Sequence, residues 1–263
     1  MTTLNIGIDP TEAGFAPDRL ARIDRHFEGY VEQKKLAGWH IALSRRGQLV
    51  HSSTSGHRDL DAGLAYTDDT VVRMFSMSKP ITSVAAMMLY EEGAFELKSP
   101  ISRWLPEFAD TRVYRSGSHL APITDPLVEP IRVWHLLTHT SGLTYGFHNT
   151  HVTDAIYRRG GFEWGNPPGA DLAECCAMWA SMPLAFQPGT EWNYGVSTDV
   201  LGRLVEVVSG MPLDEFFRTR IFEPLGMIDT DFHVHEDVLD RFAKLYVRNP
   251  ATGEAMQAPE ALG

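Results

Sequence analysis

Apolar positions recur at intervals of three or four through most of this chain and give way to strand-like runs near residue 40. Leu20, Ile23, Phe27, Tyr30 and Val31 line one face of a helix that Pro17 and Asp18 open and that ends near Gly38. Trp39 to Ser44 and Gln48 to Ser52 read as two strands, joined through Arg45-Arg46-Gly47 as a hairpin. A Gly/Asp-rich connection is expected over 56–69. Ile81, Val84, Ala85, Met88 and Leu89 then predict a helix from Lys79 to Glu92, with Pro80 tolerated in its first turn and Gly93 as its cap. Pro122, Pro126 and Pro130 break the segment 117–130, and a short helix follows over 131–139. Residues 144–170, rich in glycine and aromatics, read as a lid or binding loop. Helices at about 171–181, 198–209 and 213–222 complete the pattern.

With 263 residues, 43% of them apolar, the chain can bury a substantial core in one large domain or two smaller ones. No run approaches the roughly 18 apolar residues of a membrane span, and Met1 to Asp9 lacks the basic and apolar regions of a signal peptide. A cytoplasmic protein is therefore expected. The net charge of −11 argues against nucleic acid or an anionic membrane as partner, because such surfaces demand positive potential. Cys175 and Cys176 are adjacent, which suits neither a structural disulfide nor a metal-ligand pattern, and they are read as core or helix-face residues.

The candidate chemistry lies in Ser76-Met77-Ser78-Lys79. A helix start brings positions i and i+3 to one side, so the Ser76 hydroxyl and the Lys79 amine fall within reach of each other. Serine becomes a useful nucleophile when a neighbouring base takes its proton, and lysine can do so when burial or positive potential lowers its affinity for that proton. The first-turn amides, the Ser76 N–H among them, can help hold an oxyanion. With five lysines and 15 serines in the chain, about 0.3 such pairs are expected from composition alone.

Four further segments follow in order: His135 to Leu143, Pro188 to Tyr194, Ser197 to Gly202 and Ile221 to Thr230. With Ser76-x-x-Lys79 they resemble the β-lactamase-related serine hydrolases, a group that includes class C β-lactamases, penicillin-binding carboxypeptidases, family VIII carboxylesterases and related fungal acyltransferases. The resemblance runs from about residue 15 to 245. It implies an α+β, β-lactamase/transpeptidase-like fold, in which an antiparallel sheet flanked by helices is joined to a mainly helical domain. It implies Ser76 as the acylated nucleophile, Lys79 as its base and Tyr194 as a second acid/base. Where β-lactam-recognising members carry an asparagine that binds the substrate amide, this chain has Val196, which cannot make that bond and shifts the expectation toward esters. Trp192 to Gly195 and Thr138 to Tyr145 resemble the esterase and acyltransferase branch. A short-chain or aromatic ester is the expected small-molecule substrate, with Tyr145, Phe147, Trp192, Gly195 and Val196 lining its pocket. An acyltransferase using the same acyl-enzyme, a β-lactamase or D-amino-acid peptidase, and an inactive N-terminal fragment or binding module are the alternatives.

Neither cofactor nor metal is expected. His139 lacks a Gly-x-Ser-x-Gly elbow to serve and reads as structural. His148 with His151, and His233 with His235, are pairs without an obvious carboxylate or cysteine complement. The family resemblance also implies a later Lys/His/Trp-Thr/Gly-Gly strand that supplies the second oxyanion donor, and nothing after Met227 reads as three further strands. The chain is accordingly expected to be the N-terminal portion of a protein of roughly 380–430 residues. Its sheet would be incomplete without the C-terminal third, and its partner would be that complementary segment or chain. The expected divisions are 1–85 for the first part of the α/β domain, 86–199 for the helical domain with the 144–170 loop, and 200–263 for a return segment.

Overall fold

The structure, a computed structural model, describes residues 6–259. These divide into two compact units: the residues up to Met74 together with those from Asp231 onward, and Phe75–Thr230. The sequence reading placed its divisions elsewhere, after residues 85 and 199.

In the first unit, α1 (Pro17–Glu32) starts on a proline at its first helical position, where the missing N–H costs nothing. Strands β1 (Gly38–Arg45) and β2 (Gln48–Asp59) form the expected antiparallel hairpin, with Gly38 opposite Gly56 and Arg45 opposite Gln48. Arg46 and Gly47 turn it with φ of 54° and 76°, the left-handed pair that a two-residue hairpin loop requires. Strand β2 does not stop at Ser52. It runs on to Asp59 and pairs with β3 (Leu64–Ala65), so the glycine-rich stretch read as a connection is partly sheet. The middle of α1 is fastened to β2 through Asp24, which accepts from Ser53 Oγ at 2.6 Å and contacts His51 Nε2 at 2.8 Å.

The second unit is mainly helical. Helix α2 (Ser78–Glu91) buries Thr82, Ala85, Ala86 and Leu89, while Val84, expected on that face, is exposed. A hairpin of β4 (Arg112–Ser118) and β5 (Ala121–Pro126) replaces the irregular segment predicted from its prolines. Prolines are tolerated because a two-stranded ribbon leaves half of its N–H groups unpaired in any case. Then come α3 (Val133–Leu137), α4 (Val152–Arg159), α5 (Leu172–Ser181), α6 (Ser197–Ser209) and α7 (Leu213–Phe217), the last running into a wider turn at Arg218–Phe222. Asp171 caps α5 reciprocally with Glu174. Helix α6 is the axis of the core: Val200, Leu201, Leu204 and Val205 are buried with Ala85 and Leu89 of α2 and Cys175, Cys176 and Trp179 of α5. Both thiols are free and buried.

Past Asp231 the chain returns to the first unit. Val71 bridges to Phe242, and the Ala255 N–H donates to the Lys34 carbonyl at 2.7 Å. This stretch falls in the return segment expected over 200–263. Within it, β6 (Tyr246–Arg248) and β7 (Ala255–Gln257) form a short antiparallel hairpin, three residues a side. No helix among the described residues is long and apolar enough to cross a membrane.

Candidate active site

Ser76 sits in a tight turn, Phe75–Met77, that leads directly into α2. Phe75 before it has a φ of 46°, a left-handed backbone that costs a bulky residue on the order of 1–3 kcal/mol and survives only where the surroundings impose it. One turn on, Lys79 Nζ donates to Ser76 Oγ at 3.3 Å, the geometry the i, i+3 spacing predicted. From the other side the Tyr194 hydroxyl donates to the same Oγ at 2.5 Å. Lys79 also lies over the Tyr194 ring, 4.8 Å from its centroid. Two side chains, one three residues away in sequence and the other 118, thus meet at the hydroxyl of an exposed serine.

Tyr194 is held by the segment around it. The Asn193 N–H donates to the His139 carbonyl at 2.9 Å, and Asn193 Nδ2 donates to the Leu143 carbonyl at 3.2 Å. Gly195 is needed next, because a Cβ there would collide with that same Leu143 carbonyl. Val196, expected at the pocket wall, is 4% exposed and belongs to the core at the start of α6; Gly195 is buried too and offers no side chain.

Around Tyr194 the rings continue outward. Tyr145 lies 5.5 Å from it, Phe147 stacks on Tyr145 at 4.8 Å, and Trp164 stacks on Phe147 at 5.9 Å. On the other flank the His139 ring is 4.9 Å from Tyr194 and Trp192 is 6.3 Å from His139. Trp164 and Trp192 are the exposed ends of this wall. His139, read as structural, therefore touches the site with its ring, and burial with the nearby Lys79 charge lowers its affinity for a proton. Only part of 144–170 is an open loop. Helix α4 occupies its middle, and Tyr157 and Phe162 are core residues.

One carboxylate organises the loop that carries Tyr145 and Phe147. Asp154, fully buried, accepts from Thr144 Oγ1, the Thr150 N–H and the His151 N–H, each at 2.8 Å, and from Thr150 Oγ1 at 3.3 Å. A second carboxylate, Asp199 in the first turn of α6, approaches the chemistry itself. Burial raises its proton affinity above the ordinary carboxylate range, while the Lys79 charge and the Tyr145 hydroxyl oppose that shift. Its Oδ2 is buried without a hydrogen-bond partner. Burial, Asp199 and Tyr194 in turn push Tyr145 far up, so it stays a neutral phenol. The sequence does not single out Asp199, which stands five residues after Tyr194 at a helix start, where acids are ordinary.

The profile of the family described as Beta-lactamase matches residues 23–261. Esterase EstB of Burkholderia gladioli is 35% identical over 241 residues, which cover 91% of this chain and 58% of that protein. Lovastatin esterase of Penicillium rubens is 33% identical over 241 residues, covering 89% of this chain and 59% of that one. Among solved structures, EstCE1, described as a hydrolase with promiscuous acyltransferase activity, superposes with a TM-score of 0.79 at 26% identity, over 91% of this chain and 59% of its own. The chain thus spans about half to three-fifths of the length of the curated relatives it matches.

Proposed function

The chain belongs to the beta-lactamase family, and from that premise we propose that it is a serine hydrolase of carboxylic esters working through an acyl-enzyme on Ser76. The observation that carries this reading is the convergence of Lys79 Nζ and Tyr194 Oη on Ser76 Oγ. Ser76 Oγ attacks the ester carbonyl as its proton passes to the Lys79/Tyr194 pair, the tetrahedral intermediate expels the alcohol with that proton, and water repeats the sequence on the acyl-serine. The Ser76 N–H is one oxyanion donor. The second is assigned to a complementary C-terminal segment, whose addition raises the rate by about 10²–10³.

Support for short-chain or aromatic esters comes from two features. Tyr145, Phe147 and Trp164 offer a run of stacked ring faces leading away from Tyr194 and Lys79, and the curated relatives EstB and lovastatin esterase are named as esterases. Acyl transfer is the second reading, since an alcohol can replace water at the same acyl-enzyme and the relatives include an acyltransferase of Penicillium decumbens and EstCE1, a hydrolase described with promiscuous acyltransferase activity. Product analysis with added alcohols separates the two, and turnover of a chromogenic cephalosporin would promote a β-lactamase over both. The buried free thiols suit a reducing compartment, and a cytoplasmic location is part of the proposal.

The direct test is intact mass after exposure to a p-nitrophenyl ester. One acyl adduct is expected, absent in Ser76→Ala and in Lys79→Ala. A protein supplied with the complementary segment that still formed no adduct would overturn the proposal.

A further inference from the structure

Asp231-Phe232-His233-Val234-His235 lies in the first unit and has no part in the acyl chemistry. The sequence reading left His233 and His235 without a carboxylate; the fold supplies one. Alternate residues of a non-helical stretch can share a side. Here they do: His233 Nδ1 is 3.3 Å from Asp231 Oδ1, and His235 Nε2 is 3.0 Å from Asp231 Oδ2. The two imidazoles meet edge to face with centroids 4.3 Å apart. One ligand atom from each of the three residues lies within 4.8 Å of the others.

We propose that Asp231, His233 and His235 bind a divalent transition cation, with zinc as the reference ion. Four ligands at about 2.0–2.1 Å around zinc stand about 3.3–3.4 Å apart, and each histidine already lies within that distance of one carboxylate oxygen, His233 of Oδ1 and His235 of Oδ2. Small side-chain rotations therefore admit the ion. With the ring protons on His233 Nε2 and His235 Nδ1, both facing nitrogens present lone pairs. Two imidazoles and one carboxylate select zinc, nickel, cobalt or copper over magnesium and calcium, which prefer oxygen alone. The carboxylate is the anchored member: its side chain is 21% exposed against 68% and 48% for the histidines, and its Oδ1 accepts the Phe232 N–H at 2.6 Å. The imidazoles stand at the mouth, and the fourth position opens to water.

The test is titration of the chelator-treated chain with Zn²⁺ by calorimetry and with Co²⁺ by visible absorption. Because the chain has 11 histidines, the deciding comparison is the His233→Ala/His235→Ala double variant. One equivalent of Zn²⁺ is expected in the parent, with the d–d bands of low-coordinate Co²⁺. The double variant should weaken binding at least hundredfold, about 2.8 kcal/mol, and Asp231→Asn about tenfold. All three positions are exposed, so circular dichroism should be unchanged. Identical stoichiometry and affinity in the double variant would overturn the assignment, as would no parent binding tighter than about 1 mM.

Discussion

Replacing Asp154 by alanine removes an acceptor that two backbone amides and two hydroxyls share inside the fold. A hydrogen bond to a charged group contributes about 1.5 kcal/mol at the low end and one from a neutral hydroxyl about 1 kcal/mol. The two amides with the buried Thr144 hydroxyl thus come to about 4 kcal/mol, and relief of the carboxylate's own desolvation reduces the loss to about 3 kcal/mol. For a chain of this size that corresponds to roughly 6–12 °C in Tm. Asp154→Asn keeps one oxygen for the amides and an NH₂ for the Thr144 hydroxyl, so about 1 kcal/mol is expected. Urea unfolding followed by far-UV circular dichroism measures both. The same loop carries Tyr145 and Phe147, so the rate of Ser76 acylation should fall about tenfold or more in the alanine variant as the wall loses its placement. The reasoning fails if alanine costs less than about 1 kcal/mol, or if asparagine is as damaging as alanine.

Tyr194→Phe keeps the ring contacts with Tyr145 and His139 and removes only the hydroxyl, so kcat should drop by about 10²–10⁴ with little change in KM; a loss confined to KM would count against its acid/base role. Burial first, and then the neighbouring Arg132 charge, lower the His135 pKa from 6.5 to about 4. The folded state then binds the proton less well than the unfolded one. Stability is fully present above about pH 6.5 and declines as pH falls toward 4, by up to on the order of 3 kcal/mol. His135→Asn, compared with the parent by urea unfolding at pH 7 and 4.5, should flatten that decline. Burial raises the pKa of Cys175 and Cys176, so neither should react with a thiol reagent until the chain unfolds, when two equivalents should appear by absorbance.

The helices were legible because their apolar faces repeat over several turns, as in α1, α2 and α6. Segments too short for a period were not. Helix α4 has eight residues amid aromatics that pointed to a lid, and β6 and β7 have three each. Pro122 and Pro126 read as breakers, yet they sit in β5, paired with Gly117 and Arg112 of a ribbon that has no third strand to satisfy. At the site, Ser76 and Lys79 were readable from local spacing alone, while Tyr194 needed the family resemblance. Asp199 was hidden by its position. A carboxylate in a first helical turn ordinarily complements the helix dipole, and nothing in its neighbours announces that its side chain meets Tyr145 and Lys79. Asp154 was equally silent, because its four partners come from both sides of a loop whose path periodicity does not describe.

The Leu143 carbonyl leaves no room beyond Gly195 and also receives Asn193 Nδ2, so the strand of chain before Tyr145 and the segment bearing Tyr194 form a single rigid piece. That ties the width of the proposed acyl site to the reach of the phenol toward Ser76. Under the proposed ester chemistry, a lineage adapting to bulkier substrates cannot shift this piece outward without drawing the Tyr194 hydroxyl away from Ser76. Room for a new substrate must instead be carved from the exposed rim at Trp164, Phe147 and Trp192, where a ring can be trimmed and the 2.5 Å contact kept.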